Sequence, residues 1–221
     1  MIVDKVLINS WSDPGHIFGS CLVVKKCNLV YVNIPKNAST WTKSQLSTLD
    51  AEVDNYFLNP KIIENSTILI TLREPIERWI SGISWYLTFR HSDLLSQCEK
   101  NSETRSVLMS MIAKKISFDS HCDLQEQFIQ KINLADASFL CVKHNTDIYG
   151  QTFSKFLQEK LGVDNTFNLN HAKHVAKFNP VQTRWVTLIQ DALNNGMIDQ
   201  KEILKYYSKD VELFNKIKFY E

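Results

Sequence analysis

Three short runs of nearly unbroken aliphatic, β-branched and aromatic residues constrain this chain most: Leu29–Ile34 (LVYVNI), Thr67–Leu72 (TILITL) and Ser138–Val142 (SFLCV). They lack the polar–apolar alternation of a half-wet strand, so each predicts a strand buried on both faces. Each gives way to a stretch with helical spacing. After the first, Ser39–Leu49 has apolar residues at Trp41, Leu46 and Leu49, with Ser39 and Thr40 as capping residues at its start. After the second, a helix over about Ile76–Phe89 has Pro75 in its first turn and an apolar face of Trp79, Ile80, Ile83 and Leu87. After the third, a helix within Thr146–Leu161 stops at Gly162. Glu103–Ile116, Leu124–Ile132, Val181–Leu193 and Gln200–Ile217 read as further helices. Val3–Ile8 reads as a short strand, and Cys21–Lys25 as the partner of Leu29–Ile34 in a hairpin across Lys26–Asn28. Strands alternating with helices predict an α/β fold: one domain over residues 1–221, with a small central parallel sheet flanked by helices.

A chain of 221 residues suits one domain, or one domain with a lid. Its 25 Lys and Arg against 24 Asp and Glu leave a formal charge of +1. That balance argues against a bulk electrostatic grip on nucleic acid or membrane, and leaves room for a local basic pocket. Cys21, Cys27, Cys98, Cys122 and Cys141 are odd in number and scattered, with no C-x-x-C, as expected of reduced thiols. The first residues do not form a signal peptide and no window reaches the ~18 apolar residues of a membrane span, so a soluble cytoplasmic protein is expected.

The richest chemistry lies in Val30–Trp41 (VYVNIPKNASTW). A buried strand ends, Pro35 fixes a turn, Lys36 follows, and small residues open a helix. Ligands of open α/β sheets gather at the carboxyl ends of parallel strands. There the N–H groups of Asn37 to Trp41 would point outward and, with the helix dipole, make an anion site. Ala38, Ser39 and Thr40 let a phosphate approach the backbone, and Lys36 adds a mobile point charge. The segment is not a nucleotide P-loop, because G-x-x-x-x-G-K-[ST] is absent. In the second segment, Ile68–Leu87, Arg73 again ends a strand ahead of a helix, and Ser81 follows eight residues on. Arg78 in this segment reads as a structural partner of Glu74 or Glu77.

Together the two segments resemble the donor-binding motifs of sulfotransferases that use 3′-phosphoadenosine 5′-phosphosulfate (PAPS), most closely the carbohydrate branch with the heparan and chondroitin enzymes. That branch carries P-K-x-A-S/G-T, here Pro35-Lys36-Asn37-Ala38-Ser39-Thr40, and R-D-P-x-x-R-x-x-S, here Arg73-Glu74-Pro75-Ile76-Glu77-Arg78-Trp79-Ile80-Ser81, with Glu74 in place of Asp. Asp119-Ser120-His121 with Gln125 is similar to its D-x-H-x-x-x-Q stretch, and Tyr207, Asp210, Leu213 and Phe214 to its Y-x-x-D-x-x-L-F ending. Residues before about Leu29 carry no recognisable motif.

The resemblance implies a P-loop-related sulfotransferase fold and sulfuryl transfer from PAPS to an acceptor hydroxyl of the carbohydrate class, leaving adenosine 3′,5′-bisphosphate. Pro35 to Trp41 would hold the 5′-phosphosulfate, with Lys36 on the oxygen bridging to sulfur. Arg73 and Ser81 would hold the 3′-phosphate. Two rivals remain at this point. A nucleotide or small-molecule kinase would need a P-loop and a magnesium-binding carboxylate. A non-catalytic PAPS- or anion-binding module would lack Lys36.

An alcohol acceptor needs a general base. Relatives take a His or Glu from the segment before the Arg73 strand, and here Asp50–Ser66 offers Glu52, Asp54 and Glu64 but no His. Of His16, His91, His121, His144, His171 and His174, His121 is the first candidate because it sits in the D-x-H stretch; Asp54, Glu52 and His91 are the alternatives. His171-x-x-His174, with Lys173 and Lys177, reads as a solvated loop or a lid, and no metal is expected because no third ligand stands at sensible spacing. Trp79, Trp85, Tyr86 and Phe89 read as core in preference to a sugar platform, with Arg90 and His91 facing the acceptor.

Overall fold

The computed structural model describes residues 18–142, 146–163 and 179–221. Five strands form one sheet: β1 (Ser20–Val24), β2 (Leu29–Val32), β3 (Glu52–Asn55), β4 (Thr67–Arg73) and β5 (Ala137–Val142), in the order β3-β1-β2-β4-β5. β2, β4 and β5 run parallel, with Val32 opposite Ile70 and Ile70 opposite Phe139. β1 and β3 are antiparallel to their neighbours, β1 as the expected hairpin with β2, so the parallel sheet expected at the centre is only part of a mixed one. The reason is chain length. Only a 3₁₀ turn, Lys25–Cys27, closed by left-handed Asn28, joins β1 to β2. That connection reverses the chain but is far too short for a crossover. β3 (EVDN) has no apolar run and forms because it can pair with the open side of β1; its charges suit an edge. The strand expected at Val3–Ile8 lies outside the described residues.

All four residues of β2 are buried, as their composition requires. Alternate strand residues feed two cores. Leu29, Tyr31, Leu69 and Leu140 pack under α1 (Ser39–Ser47) and α6 (Thr146–Leu161), through Trp41, Leu46, Phe153 and Phe156. Val30, Val32, Ile68, Ile70 and Phe139 face α5 (Gln125–Phe128), the turn after it and the C-terminal α9 (Ser208–Lys216), through Phe128, Ile129, Ile132 and Leu213. A third core lies among helices and contains no strand residue of the sheet. It joins α2 (Pro75–Arg90), α3 (Ser92–Lys100), α4 (Ser102–Lys115), α7 (Pro180–Asn194) and α8 (Gln200–Tyr206) around Trp79, Leu108, Trp185 and Tyr207.

Several elements depart from the sequence reading. α3 was not foreseen as a helix. Leu124–Ile132 shrinks to the single turn α5, and Gln200–Ile217 divides into α8 and α9 at Tyr207. The Tyr207 hydroxyl donates to the carbonyl of Cys122, which anchors that break. All five cysteines are free thiols. No helix among the described residues is long and apolar enough to cross a membrane.

Candidate functional site

The β2–α1 loop is built on unusual backbone. Lys36 and Ala38 both adopt the left-handed region, with φ of 66° and 57°. For residues with a side chain this costs about 1–2 kcal/mol each. Ala38 is the N-cap of α1 and offers no side chain to the helix, so Ser39 and Thr40 are the first helical residues and not the caps expected. The first rung of the helix is Thr42 N–H to the carbonyl of Ala38, at 3.0 Å. The N–H groups of Ala38 to Trp41 precede that ladder, as an anion site requires. The Asn37 N–H instead closes the turn onto Ile34, at 3.4 Å.

The second segment grips the first. Arg73 Nη1 donates to the carbonyl of Lys36 at 3.2 Å, and Arg78 Nε to the carbonyl of Pro35 at 3.2 Å. Arg78 is fully buried and also donates to the carbonyl of Asp123. Its role is structural, as the sequence suggests, but through the loop carbonyls and not through Glu74 or Glu77. The ion pair with Glu77 belongs to Arg73, at 3.7 Å. The Asn37 amide donates to the Thr71 carbonyl at 2.8 Å, while the Thr71 hydroxyl donates back to the Asn37 carbonyl at 3.0 Å. Beneath them the hydroxyls of Tyr31 and Thr71 meet at 3.2 Å, and those of Thr42 and Tyr149 at 2.7 Å.

Lys36 and His121 share one ring. The Lys36 ammonium lies 5.8 Å from the centre of Trp85, and the His121 imidazole stacks on Trp85 at 3.9 Å between ring centroids. His121 is 3% exposed; its Nδ1 is 3.2 Å from Asp119 Oδ2, and its N–H donates to Asp119 Oδ1 at 2.9 Å. This close seating depends on Gly82. A Cβ there would stand 2.5 Å from the carbonyl oxygen of His121. Burial pulls the Lys36 amine down to about 8, with Arg73 and Arg78 adding repulsion, and Cys122 and Asp119 opposing it. Burial also lowers Arg73, with Glu77 opposing.

Glu77, Ser81, Trp85 and Phe89 recur every fourth residue and so share one face of α2. Glu77 meets Arg73 at one end of this row, Trp85 meets Lys36 and His121, and Phe89 closes it, 59% exposed and 4.7 Å from Trp85. Trp79 and Tyr86 are core residues as expected, while Trp85 is only half-buried and Phe89 is exposed. The expectation that all four are core is corrected for these two: their face of α2 is the one turned to Lys36.

The other candidates fall at varied distances from this centre. The half-buried Ser81 lies one turn beyond Glu77. The Trp41 ring is buried between Tyr149 and Phe153, so only its backbone N–H belongs to the loop. Asp54 stands in register with Cys21 and Val32, level with the carboxyl end of β2 but two strands away. Glu52 is near the opposite end of β1 and binds Lys25 at 2.6 Å. His91 follows α2 with Nε2 3.4 Å from the Tyr86 hydroxyl, and burial lowers it. His16, His144, His171, Lys173, His174 and Lys177 lie outside the described residues. Among the described residues no three His, Cys, Asp or Glu side chains gather as a metal-holding group.

The sequence reading gave no site role to Arg78 or Trp85, and named Gln125 and Asp210 only as parts of weaker motifs. The fourfold spacing from Glu77 was the available signal for Trp85. No protein-family model, curated protein or solved structure matches this chain significantly.

Proposed function

We propose that this chain moves a sulfuryl group from PAPS to an acceptor hydroxyl, with carbohydrate as the acceptor class. The observation that carries the reading is the join between the two strand–helix junctions. Arg73 and Arg78 of the second hold the carbonyls of Lys36 and Pro35 of the first. Lys36, Arg73 and the first N–H groups of α1 thereby form one donor set. That set fits a bisphosphorylated nucleotide: Lys36 and Arg73, with Arg78 behind them, converge on a mostly buried loop, and the repulsion of the two arginines is part of what drives the proton from Lys36. A bound anion relieves that repulsion.

When bound, PAPS supplies an activated sulfur and a good leaving group. The chain supplies the rest. The Lys36 ammonium and the N–H groups of Ala38 to Trp41 stabilise charge on the leaving side. Arg73, with Ser81 one turn beyond its partner Glu77 on α2, holds the second phosphate and so selects the donor. His121 takes the proton of the acceptor, with Asp119 orienting its ring. Phe89 and Arg90, exposed at the end of the α2 row, face the acceptor.

Calorimetry tests the donor assignment. Adenosine 3′,5′-bisphosphate is expected to bind at least about tenfold more tightly than adenosine 5′-phosphate, since a charge-assisted hydrogen bond is worth roughly 1.5–3 kcal/mol. Equal affinities would refute it. With labelled PAPS and a glycan acceptor, His121→Ala should lower turnover roughly 10²–10⁴-fold while bisphosphate affinity holds. Full activity in that variant would move the base to Asp54.

A further inference from the structure

β2 leaves the sheet after Val32, while β4 continues to Arg73. In a strand, residues two apart direct their N–H and C=O to the same side. Past Ile70, the backbone groups of Thr71 and Arg73 on the β2 side therefore need partners other than β2. Two side chains supply them. Asn37 Nδ2 donates to the Thr71 carbonyl at 2.8 Å. Gln125 Oε1 accepts from the Arg73 N–H at 3.0 Å, and Gln125 Nε2 donates to the Arg73 carbonyl at 2.9 Å. The same Oε1 accepts from Asn37 Nδ2 at 2.6 Å. One fully buried amide thus continues the ladder that β2 abandons and ties both strand ends together.

Gln125 is itself fixed from the C-terminal helix. The fully buried Asp210 carboxylate accepts from the N–H of Gln125 at 2.8 Å and of Glu126 at 2.9 Å. The Tyr207 hydroxyl binds the Cys122 carbonyl in the same stretch. The two weaker motifs, Asp119-x-His121-x-x-x-Gln125 and Tyr207-x-x-Asp210, are therefore one assembly resting on both junctions.

We propose that Gln125, held by Asp210, is a positioning residue that sets the spacing between the Lys36 loop and Arg73, and thereby makes the second phosphate count in donor binding. This rests on the donor reading above. The chemistry demands an amide, because Arg73 requires one acceptor and one donor from the same group. Methionine keeps the length and volume but has no donor and only a weak sulfur acceptor.

The test measures, by calorimetry, the affinities of adenosine 3′,5′-bisphosphate and adenosine 5′-phosphate for wild type, Gln125→Met and Asp210→Asn, with thermal midpoints alongside. In Gln125→Met the preference for the bisphosphate should fall by about tenfold, with 5′-phosphate affinity held within about twofold, as expected for one charged contact misplaced. Asp210→Asn should shift the ratio the same way by less. An unchanged ratio, with both ligands weakening as the midpoint falls, would mean that Gln125 only supports the fold and would overturn the proposal. Should Gln125→Met not fold, the ratio in Asp210→Asn decides on the same terms. A wild type without preference for the bisphosphate refutes the donor reading itself, and this inference with it.

Discussion

The junctions after β2 and β4 are neighbours on parallel strands, yet they solve the start of a helix in opposite ways. After β4, Glu74 caps α2 by accepting from the Glu77 N–H at 2.8 Å, and Pro75 occupies the first helical position, where no N–H is wanted. No residue of that turn has positive φ. After β2, Lys36 and Ala38 are both left-handed and α1 has no side-chain cap. The relaxed junction has a side-chain cap and no strained residue, and in the proposed reading it meets an anion through side chains, Arg73 and Ser81. The strained junction keeps its backbone donors open for a ligand. Left-handed residues and absent caps each cost about 1 kcal/mol, and such local costs persist where the surroundings over-determine them. Here the surroundings are the two arginines and the Asn37–Thr71–Gln125 bonds.

The sharpest break in this comparison comes from one variant at each junction. Lys36→Ala should cut turnover at saturating PAPS by about 10²–10³-fold, the range for losing one preorganised donor, with only a minor change in bisphosphate affinity. Arg73→Ala should do the reverse: affinity falls by at least about tenfold and turnover at saturation stays within a few-fold. Loss of affinity alone in both variants would mean that Lys36 is an anchor like Arg73 and that the junctions do not divide the labour.

Much of this division was legible in the sequence. Continuous apolar runs ending in Pro35-Lys36 and in Arg73-Glu74-Pro75 located both strand ends and both helices. Pro75 reads directly as a first-turn residue. The strain did not show, because Lys36 and Ala38 are neither Gly nor Asn, the residues that usually announce a left-handed turn. Nor did β3 show: EVDN has no strand pattern and becomes a strand through pairing with β1. The structural role of Arg78 is legible but its partners are not, because Glu74 and Glu77 are its near neighbours in the chain and only tertiary packing brings the carbonyls of Pro35 and Asp123 to it. The halves of the Gln125–Asp210 contact stand 85 residues apart in the chain, a separation no local pattern reports.

A smaller effect separates the junctions by stability alone. Glu74→Ala removes a cap and should lower the unfolding free energy by about 1 kcal/mol. Ala38→Gly relieves a left-handed residue worth about 1–2 kcal/mol, against about 0.5–1 kcal/mol for glycine's greater freedom when unfolded, so stability should hold or rise slightly. Urea titration reads both. A loss in Ala38→Gly as large as that in Glu74→Ala would show that the β2–α1 loop carries no strain.

The smallest effect is a fraction of a proton, and it links the strain to the ligand. Burial holds the Lys36 amine at about 8, below its ordinary 10.5. Between those values the unfolded chain binds more protons at this position than the folded one does. The Lys36 contribution to stability therefore rises with pH through this window. Anion binding runs the other way. It favours the ammonium, so affinity should fall slightly above about pH 8, by no more than the minor loss in Lys36→Ala, where the ligand's phosphates, with a second pKa of about 6, are already fully ionised. At about pH 8.5 binding should then take up a fraction of a proton. Calorimetry in buffers of differing ionisation enthalpy would read that uptake, and it should shrink towards pH 7. The difference between wild type and Lys36→Met isolates the one amine. If the two proteins take up the same number of protons, the Lys36 ammonium does not meet the anion, and the open junction works through its backbone N–H groups alone.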